Sequence, residues 1–198
     1  MFECSSLEEP ELIKLIVGGA VGVLPTDTVY GLTCLAANRA SVARLYKLKS
    51  RDQKPGTIIA ADVQQLVELG LKRRYLSAVT QYWPSAISVI IPCGDELRFL
   101  HIGQNGLAVR IPEDKALSKL LSKTGPLLTT SANHPGEPTA STIMEAQQYF
   151  NGQVDFYVDG GDLSKRAPST IIRIVDDAIE VIRSGAVTIN PVTGEIKK

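Results

Sequence analysis

Residues 107–130 read Leu107-Ala108-Val109-Arg110-Ile111-Pro112-Glu113-Asp114-Lys115-Ala116-Leu117-Ser118-Lys119-Leu120-Leu121-Ser122-Lys123-Thr124-Gly125-Pro126-Leu127-Leu128-Thr129-Thr130. Leu107–Ile111 is a short apolar run stopped by a proline, the signature of a buried strand. Ala116–Leu121 then places apolar residues at helical spacing, and Gly125-Pro126 ends it. Leu127–Thr130 is a second buried strand that runs directly into hydroxyl side chains. Strand, helix, strand within 24 residues predicts an α/β architecture.

Working outward, the same alternation continues. Glu8, Glu9 and Pro10 suit the first turn of a helix that carries Leu12, Ile13, Ile16 and Val17 and stops at Gly18-Gly19. Ala20–Leu24 follows as a strand closed by Pro25. Asn38 caps a helix through Val42, Leu45 and Leu48, Thr57–Ala61 is a strand, and Asp62 opens a helix through Leu66 and Leu69. Another helical pattern carries Leu76, Val79 and Tyr82 up to Pro84, and Ile87–Ile91 is again a buried strand. Beyond the opening stretch, Ser141 is the expected cap of a helix through Ile143, Ala146 and Phe150. Phe156–Val158, Thr170–Val175 and Ala178–Ile182 are β-rich runs, the last two joined by a tight turn at Asp176-Asp177. The expectation is one domain over residues 1–187 with a tail at 188–198: a single open, twisted, mixed β-sheet flanked by helices, rather than a barrel.

Composition narrows the function classes. The 198 residues are 44% hydrophobic, enough for one substantial core, and Lys plus Arg balance Asp plus Glu at 21 each. Zero net charge gives no global attraction to nucleic acid or to anionic membrane. Cys4, Cys34 and Cys93 are an odd, scattered set without a CxxC pair, which reads as reduced thiols. The acidic start and the lack of any apolar run near 20 residues predict a cytoplasmic protein with no membrane contact. There is no GxxxxGK(S/T) loop, no GxGxxG after the first strand and no zinc-deaminase pattern.

Three segments and two single arginines can carry chemistry. Pro25-Thr26-Asp27-Thr28-Val29-Tyr30-Gly31-Leu32 gathers hydroxyls, a carboxylate and a phenol beyond a strand end, although such a loop can also simply bond its own backbone. Lys47 to Lys54 concentrates cations at a helix end, where Lys49 and Arg51 suit a triphosphate and equally suit the helix dipole. Thr129-Thr130-Ser131-Ala132-Asn133, followed by Gly136 and Thr139, presents donors to an anion; His101 and His134 are the only imidazoles, and Ser131 lacks the GxSxG setting of a hydrolase nucleophile. Arg110 and Arg183 interrupt apolar runs, so each must meet a carboxylate of the protein or an anionic ligand.

Taken in order, PTDTVYGL, LKSR, LAVRIP, TTSAN, PSTII and IRSG span nearly everything from Ala20 to Gly185 and resemble the YrdC/TsaC family. The resemblance implies a reaction in which L-threonine, bicarbonate or CO2, and ATP give L-threonylcarbamoyl-AMP and pyrophosphate, with Mg2+ on the phosphates. A separate transferase assembly would then modify tRNA at the adenosine beside the anticodon. By the same resemblance, Thr28, Arg110 and Thr129 face threonine. Lys49 and Arg51 lie over the phosphates, and Ser131, Asn133, Thr139, Ser169, Thr170 and Arg183 belong to the nucleotide side. The sequence departs from the family pattern at Asp52, at Ala60-Ala61 and in Trp83-Pro84-Ser85-Ala86, which implies an altered wall of the amino acid pocket. A rival reading is a non-catalytic module for tRNA or double-stranded RNA, with Lys72, Arg73, Arg74, Lys165 and Arg166 extending a basic surface.

Overall fold

The computed structural model describes residues 1–50, 54–176 and 178–197. Its strands are β1 (Phe2–Cys4), β2 (Gly22–Pro25), β3 (Tyr30–Leu35), β4 (Thr57–Ile59), β5 (Ile87–Pro92), β6 (Gly106–Arg110), β7 (Leu127–Ser131), β8 (Phe156–Val158), β9 (Thr170–Val175), β10 (Ala178–Arg183), β11 (Thr188–Ile189) and β12 (Ile196–Lys197). The helices are α1 (Pro10–Val17), α2 (Arg39–Leu48), α3 (Val63–Glu68), α4 (Arg73–Ser77), α5 (Arg98–His101), α6 (Lys115–Thr124) and α7 (Ile143–Phe150). Ten strands form one mixed sheet in the order β1-β8-β2-β3-β7-β4-β6-β5-β9-β10. Its two outer strands each have one neighbour, so the sheet is open, as the sequence predicts.

Both sheet faces are apolar at the centre, and the strand period of two divides the side chains between them. Val23, Leu32, Ile58, Val89, Val109, Leu128 and Ile172 pack on one face with α2, α3, α4, α5 and α7. Leu24, Ile59 and Leu127 turn to the other face, where Leu12 and Ile16 of α1 meet Leu117, Leu120 and Leu121 of α6. Each such fully buried aliphatic side chain contributes about 1.5–3 kcal/mol. Only part of the second face is covered by α1 and α6. Toward the ends of β3, β4, β6, β7 and β9 that same face carries Gly31, Thr57, Ala108, Arg110, Thr129, Ser131 and Ile171, and there it opens as a hollow, with the buried Ser88 of β5 beside Arg110.

Helix capping follows the sequence closely. The side chains of Asn38, Asp62 and Asp114 accept from the backbone N–H groups of Ser41, Gln65 and Leu117. For α7 the cap is Thr142, not Ser141: the Thr142 hydroxyl accepts from Glu145 N, while Ser141 N donates to the Glu145 carboxylate. Three elements are absent from the sequence reading. β1 is only three residues long, α5 only four, and β3 begins inside PTDTVYGL, so that Thr26–Val29 is the turn of a β2–β3 hairpin rather than a loop leading to a helix. The segment 188–197 also has structure: β11 and β12 pair antiparallel, and Ile189 is buried in the main core.

Candidate active site

The hairpin turn is built by its own hydroxyls. Thr26 Oγ1 donates to Val29 O at 2.7 Å and accepts from Thr28 N at 3.1 Å, while the two threonine hydroxyls lie 3.0 Å apart. This fixes Thr28 at the hollow. Gly31 allows close approach rather than a special backbone angle, since a Cβ there would lie 2.3 Å from Thr129 Oγ1 of the adjacent β7. The glycine and the threonine that both motifs supply are therefore one packing unit.

Arg110 emerges from the end of β6 into this turn. Its Nη2 donates to Asp27 Oδ1 at 2.8 Å and to Thr28 Oγ1 at 3.5 Å, and Nη1 reaches Ser88 Oγ at 3.4 Å. The pair is buried, with side-chain exposures of 3% for Arg110 and 6% for Asp27. Arg110 Nε and Asp27 Oδ2 have no hydrogen-bond partner. A buried cation with an unused donor is costly, and the same side chain lines the hollow.

Burial raises the Asp27 pKa above the ordinary carboxylate range, and the Arg110 charge pulls it down without cancelling the rise. The neutral carboxyl is thus the form the fold favours, so its contribution to stability is full at low pH and lost as pH rises through the folded-state pKa. Chemical denaturation from about pH 4 upward should show the wild type losing stability relative to Asp27→Asn. A gain instead would mean that the ion pair, not burial, dominates.

Lys49 caps the C-terminal end of α2, yet its ammonium does not face open solvent. It is 3% exposed, and Nζ donates to Ser131 O at 2.7 Å, to Asn133 O at 2.6 Å and to Asn133 Oδ1. Ser131 Oγ lies 3.4 Å from it and donates to Asn133 Oδ1 at 2.7 Å, and Asn133 Nδ2 donates to Glu137 O at 2.5 Å. One buried cation therefore gathers the whole S-x-N loop around itself, an arrangement the helix-dipole reading does not account for. Arg51, the other half of the K-x-R pair, lies outside the described residues.

On the far rim, Arg183 at the end of β10 grips Ser169: Nη2 donates to Ser169 O at 2.7 Å and to its Oγ at 3.0 Å, with Nε at 3.1 Å from Ser169 O. Gly185 makes this possible, because a Cβ there would sit 2.2 Å from Pro168 O. The PST and RSG motifs thus clasp one another across the sheet edge.

The hollow is shallow: it holds about 110 Å3 of enclosed space, and about 600 Å3 when its open mouth is counted. Thr28, Arg110, Thr129, Ser131, Ser169 and Arg183 all line it. Lys49 and Asn133 do not line it and instead hold the Ser131 loop. Thr139, half-buried in the following loop, is also not among the lining residues. Thr170 is turned away: its hydroxyl donates to Val187 O and accepts from Val187 N at 3.3 Å, so it ties the strand to the chain end. The sequence reading missed Thr57 and the buried Ser88, both single hydroxyls within apolar strands, and missed Asp27 as the counterion of Arg110.

His101 is a structural residue, its Nδ1 accepting from Gly103 N and Asn105 N while Nε2 donates to Gly94 O at 3.2 Å. His134 stacks edge-on against Tyr149 and Phe150. Burial pushes the Cys34 thiol up to about 12, and burial with the nearby Glu96 charge pushes Cys93 up to about 11, so both are held as thiols at neutral pH. Among the described residues no cluster of His, Cys, Asp or Glu could hold a metal ion, and no helix is long and apolar enough to cross a membrane.

The family model for Sua5, YciO and YrdC, which bears the description telomere recombination, matches residues 14–185. The chain belongs to the Sua5/YciO/YrdC family. Among its relatives in that family, a threonylcarbamoyl-AMP synthase of Pseudomonas putida is 34% identical over 185 residues, covering 91% of this chain and 99% of its own. A threonylcarbamoyl-AMP synthase of Bacillus subtilis is 28% identical, and there the match covers 92% of this chain and 56% of the relative. Of solved structures, Sua5 of P. abyssi in complex with L-threonine superposes with a TM-score of 0.83 at 25% identity, covering 95% of this chain and 58% of that one. YciO of E. coli has the same fold, with a TM-score of 0.80 at 24% identity, covering 96% of this chain and 98% of its own.

Proposed function

We propose that this chain condenses L-threonine, bicarbonate or CO2, and ATP into L-threonylcarbamoyl-AMP with release of pyrophosphate, the first step of N6-threonylcarbamoyladenosine formation in tRNA. The observation that carries this reading is the hollow itself: Arg110 and Arg183 flank one hydroxyl-lined space with no cysteine or histidine among its described lining residues. Such a site is equipped to orient anions and to stabilise phosphoryl charge rather than to form a covalent intermediate.

The chemistry needs no more than that. The threonine amine takes up CO2, or bicarbonate with loss of water, to give a carbamate. A carbamate oxygen then bonds to the α-phosphorus of ATP as the bond to pyrophosphate breaks. Arg110, whose guanidinium lines the hollow, meets the threonine carboxylate beside Thr28 and Thr129. Ser131, Ser169 and Arg183 meet the phosphates, with the Lys49 charge behind the Ser131 loop and Arg51 as the second phosphate cation. Among the described residues no carboxylate cluster could cage a metal ion, and we place Mg2+ on the phosphates, as part of the MgATP substrate. We place the reaction in the cytoplasm, upstream of a transferase assembly that carries the group to tRNA.

Purified protein given MgATP, L-threonine and bicarbonate should release pyrophosphate together with a threonylcarbamoyl-AMP ion in mass spectra. Absence of both, accompanied by salt-sensitive RNA binding, would favour the RNA-binding module instead.

A further inference from the structure

We propose that Ser88 is a positioning residue which joins the threonine-side and nucleotide-side arginines through one directed chain of hydrogen bonds. The inference rests on the function proposed above. Ser88 lies within β5 between Ile87 and Val89, is fully buried, and does not line the hollow, so it acts only through its neighbours. A hydroxyl inside an apolar strand is costly unless it is bonded. Here it is bonded on both sides by side chains from elsewhere in the sheet: Arg110 Nη1 donates to Ser88 Oγ at 3.4 Å, and Ser88 Oγ donates to Ser169 Oγ at 3.0 Å.

The Ser88 hydrogen is directed at Ser169 Oγ, which sets the direction of the chain. A serine hydroxyl has one hydrogen and two acceptor positions. Ser169 Oγ receives hydrogen bonds from Ser88 and from Arg183 Nη2, which fills both positions. Its own hydrogen is left to point elsewhere, and Ser169 lines the hollow. The sequence Arg110, Ser88, Ser169 therefore begins at a cation and ends with a donor presented to a phosphate oxygen, each link polarising the next. Without the Ser88 hydroxyl, Ser169 Oγ is held by Arg183 alone and Arg110 loses one of its fixing partners, so both ends of the site loosen although neither ligand touches Ser88.

The test uses Ser88→Ala, Ser88→Thr, Ser169→Ala and the double variant. Loss of one bond in a buried network corresponds to about a five- to tenfold effect on affinity. Ser88→Ala should raise KM for both ATP and threonine by that factor with kcat changed by less than about threefold, and Ser88→Thr, which keeps the hydroxyl, should restore both. In the Ser169→Ala background, Ser88→Ala should no longer alter KM for ATP. Unchanged KM values in Ser88→Ala, an equal defect in Ser88→Thr, or additive effects in the double variant would each overturn the relay. A separate readout covers misfolding of Ser88→Ala and failure of the proposed reaction: the Nε–H resonances of Arg110 and Arg183 in unliganded Ser169→Ala. The relay requires both to shift, although Ser169 bonds only Arg183 of the two, and a stationary Arg110 signal overturns it.

Discussion

Arg110→Met should lower kcat/KM for threonine about ten- to a hundredfold, the scale of a lost charge-assisted hydrogen bond of about 1.5–3 kcal/mol, and should also destabilise the fold. The second effect comes from the partner left behind. Asp27 lies 6% exposed against Arg110, and breaking a buried pair from one side typically costs about 3–5 kcal/mol. Because burial already raises the Asp27 pKa, the orphaned group can escape the penalty by taking a proton, so the loss of stability should shrink in acid. The double variant Asp27→Leu with Arg110→Met separates the two roles. It should recover most of the stability, since an apolar pair of similar volume can replace a buried ion pair, while threonine use stays impaired. Denaturation curves and steady-state kinetics on the three proteins check this; normal threonine kinetics in Arg110→Met would remove the residue from the site.

Lys49→Met should reduce turnover by at least about tenfold, equivalent to about 1.4 kcal/mol in the barrier, through collapse of the loop it organises. Ser131 O, Asn133 O and Asn133 Oδ1 converge on its ammonium. A methionine fills the buried channel and offers them no donor, and each stranded acceptor costs about 1–3 kcal/mol unless water reaches it. Lys49→Arg should fail to restore activity, because a planar fork cannot replace a compact charge at which the acceptors meet. Hydrogen exchange should localise the damage, with faster exchange at Ala132 N and Ala140 N, which bond Tyr30 O and Ala132 O across the loop. Full turnover with an unprotected loop would show that the ordering is irrelevant to catalysis.

The parts of the fold legible in the sequence are those whose burial is uniform. Ile87, Val89, Ile91 and Leu128 reach the helix-covered main core and Leu127 the side packed by α1 and α6, which makes β5 and the first half of β7 readable, and α1, α2 and α6 announce themselves through start and stop residues and a helical stripe. β3 was illegible for the opposite reason: its Tyr30, Gly31 and Thr33 serve the hollow and close strand contacts, so the run reads as a polar loop. β1, α5 and the terminal hairpin are too short to display a period, and the hairpin meets the core through one residue on each strand, Ile189 and Ile196.

The site divides along a similar line. Arg110, Ser131 and Arg183 stand out because a charge or a hydroxyl ends an apolar strand, and the ordered motifs gave the rest by resemblance. What the sequence does not display is pairing across distance. Arg110 finds Asp27 83 positions away and Arg183 finds Ser169 14 positions away, connections set by sheet order alone. The same motifs also mix two jobs. Thr170 belongs to the matching S-T pair, yet its hydroxyl is used by Val187, and Gly31 and Gly185 owe their identity to neighbouring backbone and side chains rather than to a ligand.

A structure with L-threonine and the uncleavable α,β-methylene analogue of ATP bound together tests the central claim most directly. The account predicts the threonine carboxylate on Arg110 beside Thr28, and the analogue's phosphates between the Ser131 loop and Arg183, with the amine on the α-phosphorus side and room between them for the added carboxylate whose oxygen makes the new bond. Either ligand bound on a different surface, or both present with Arg110 still turned wholly toward Asp27, would contradict it.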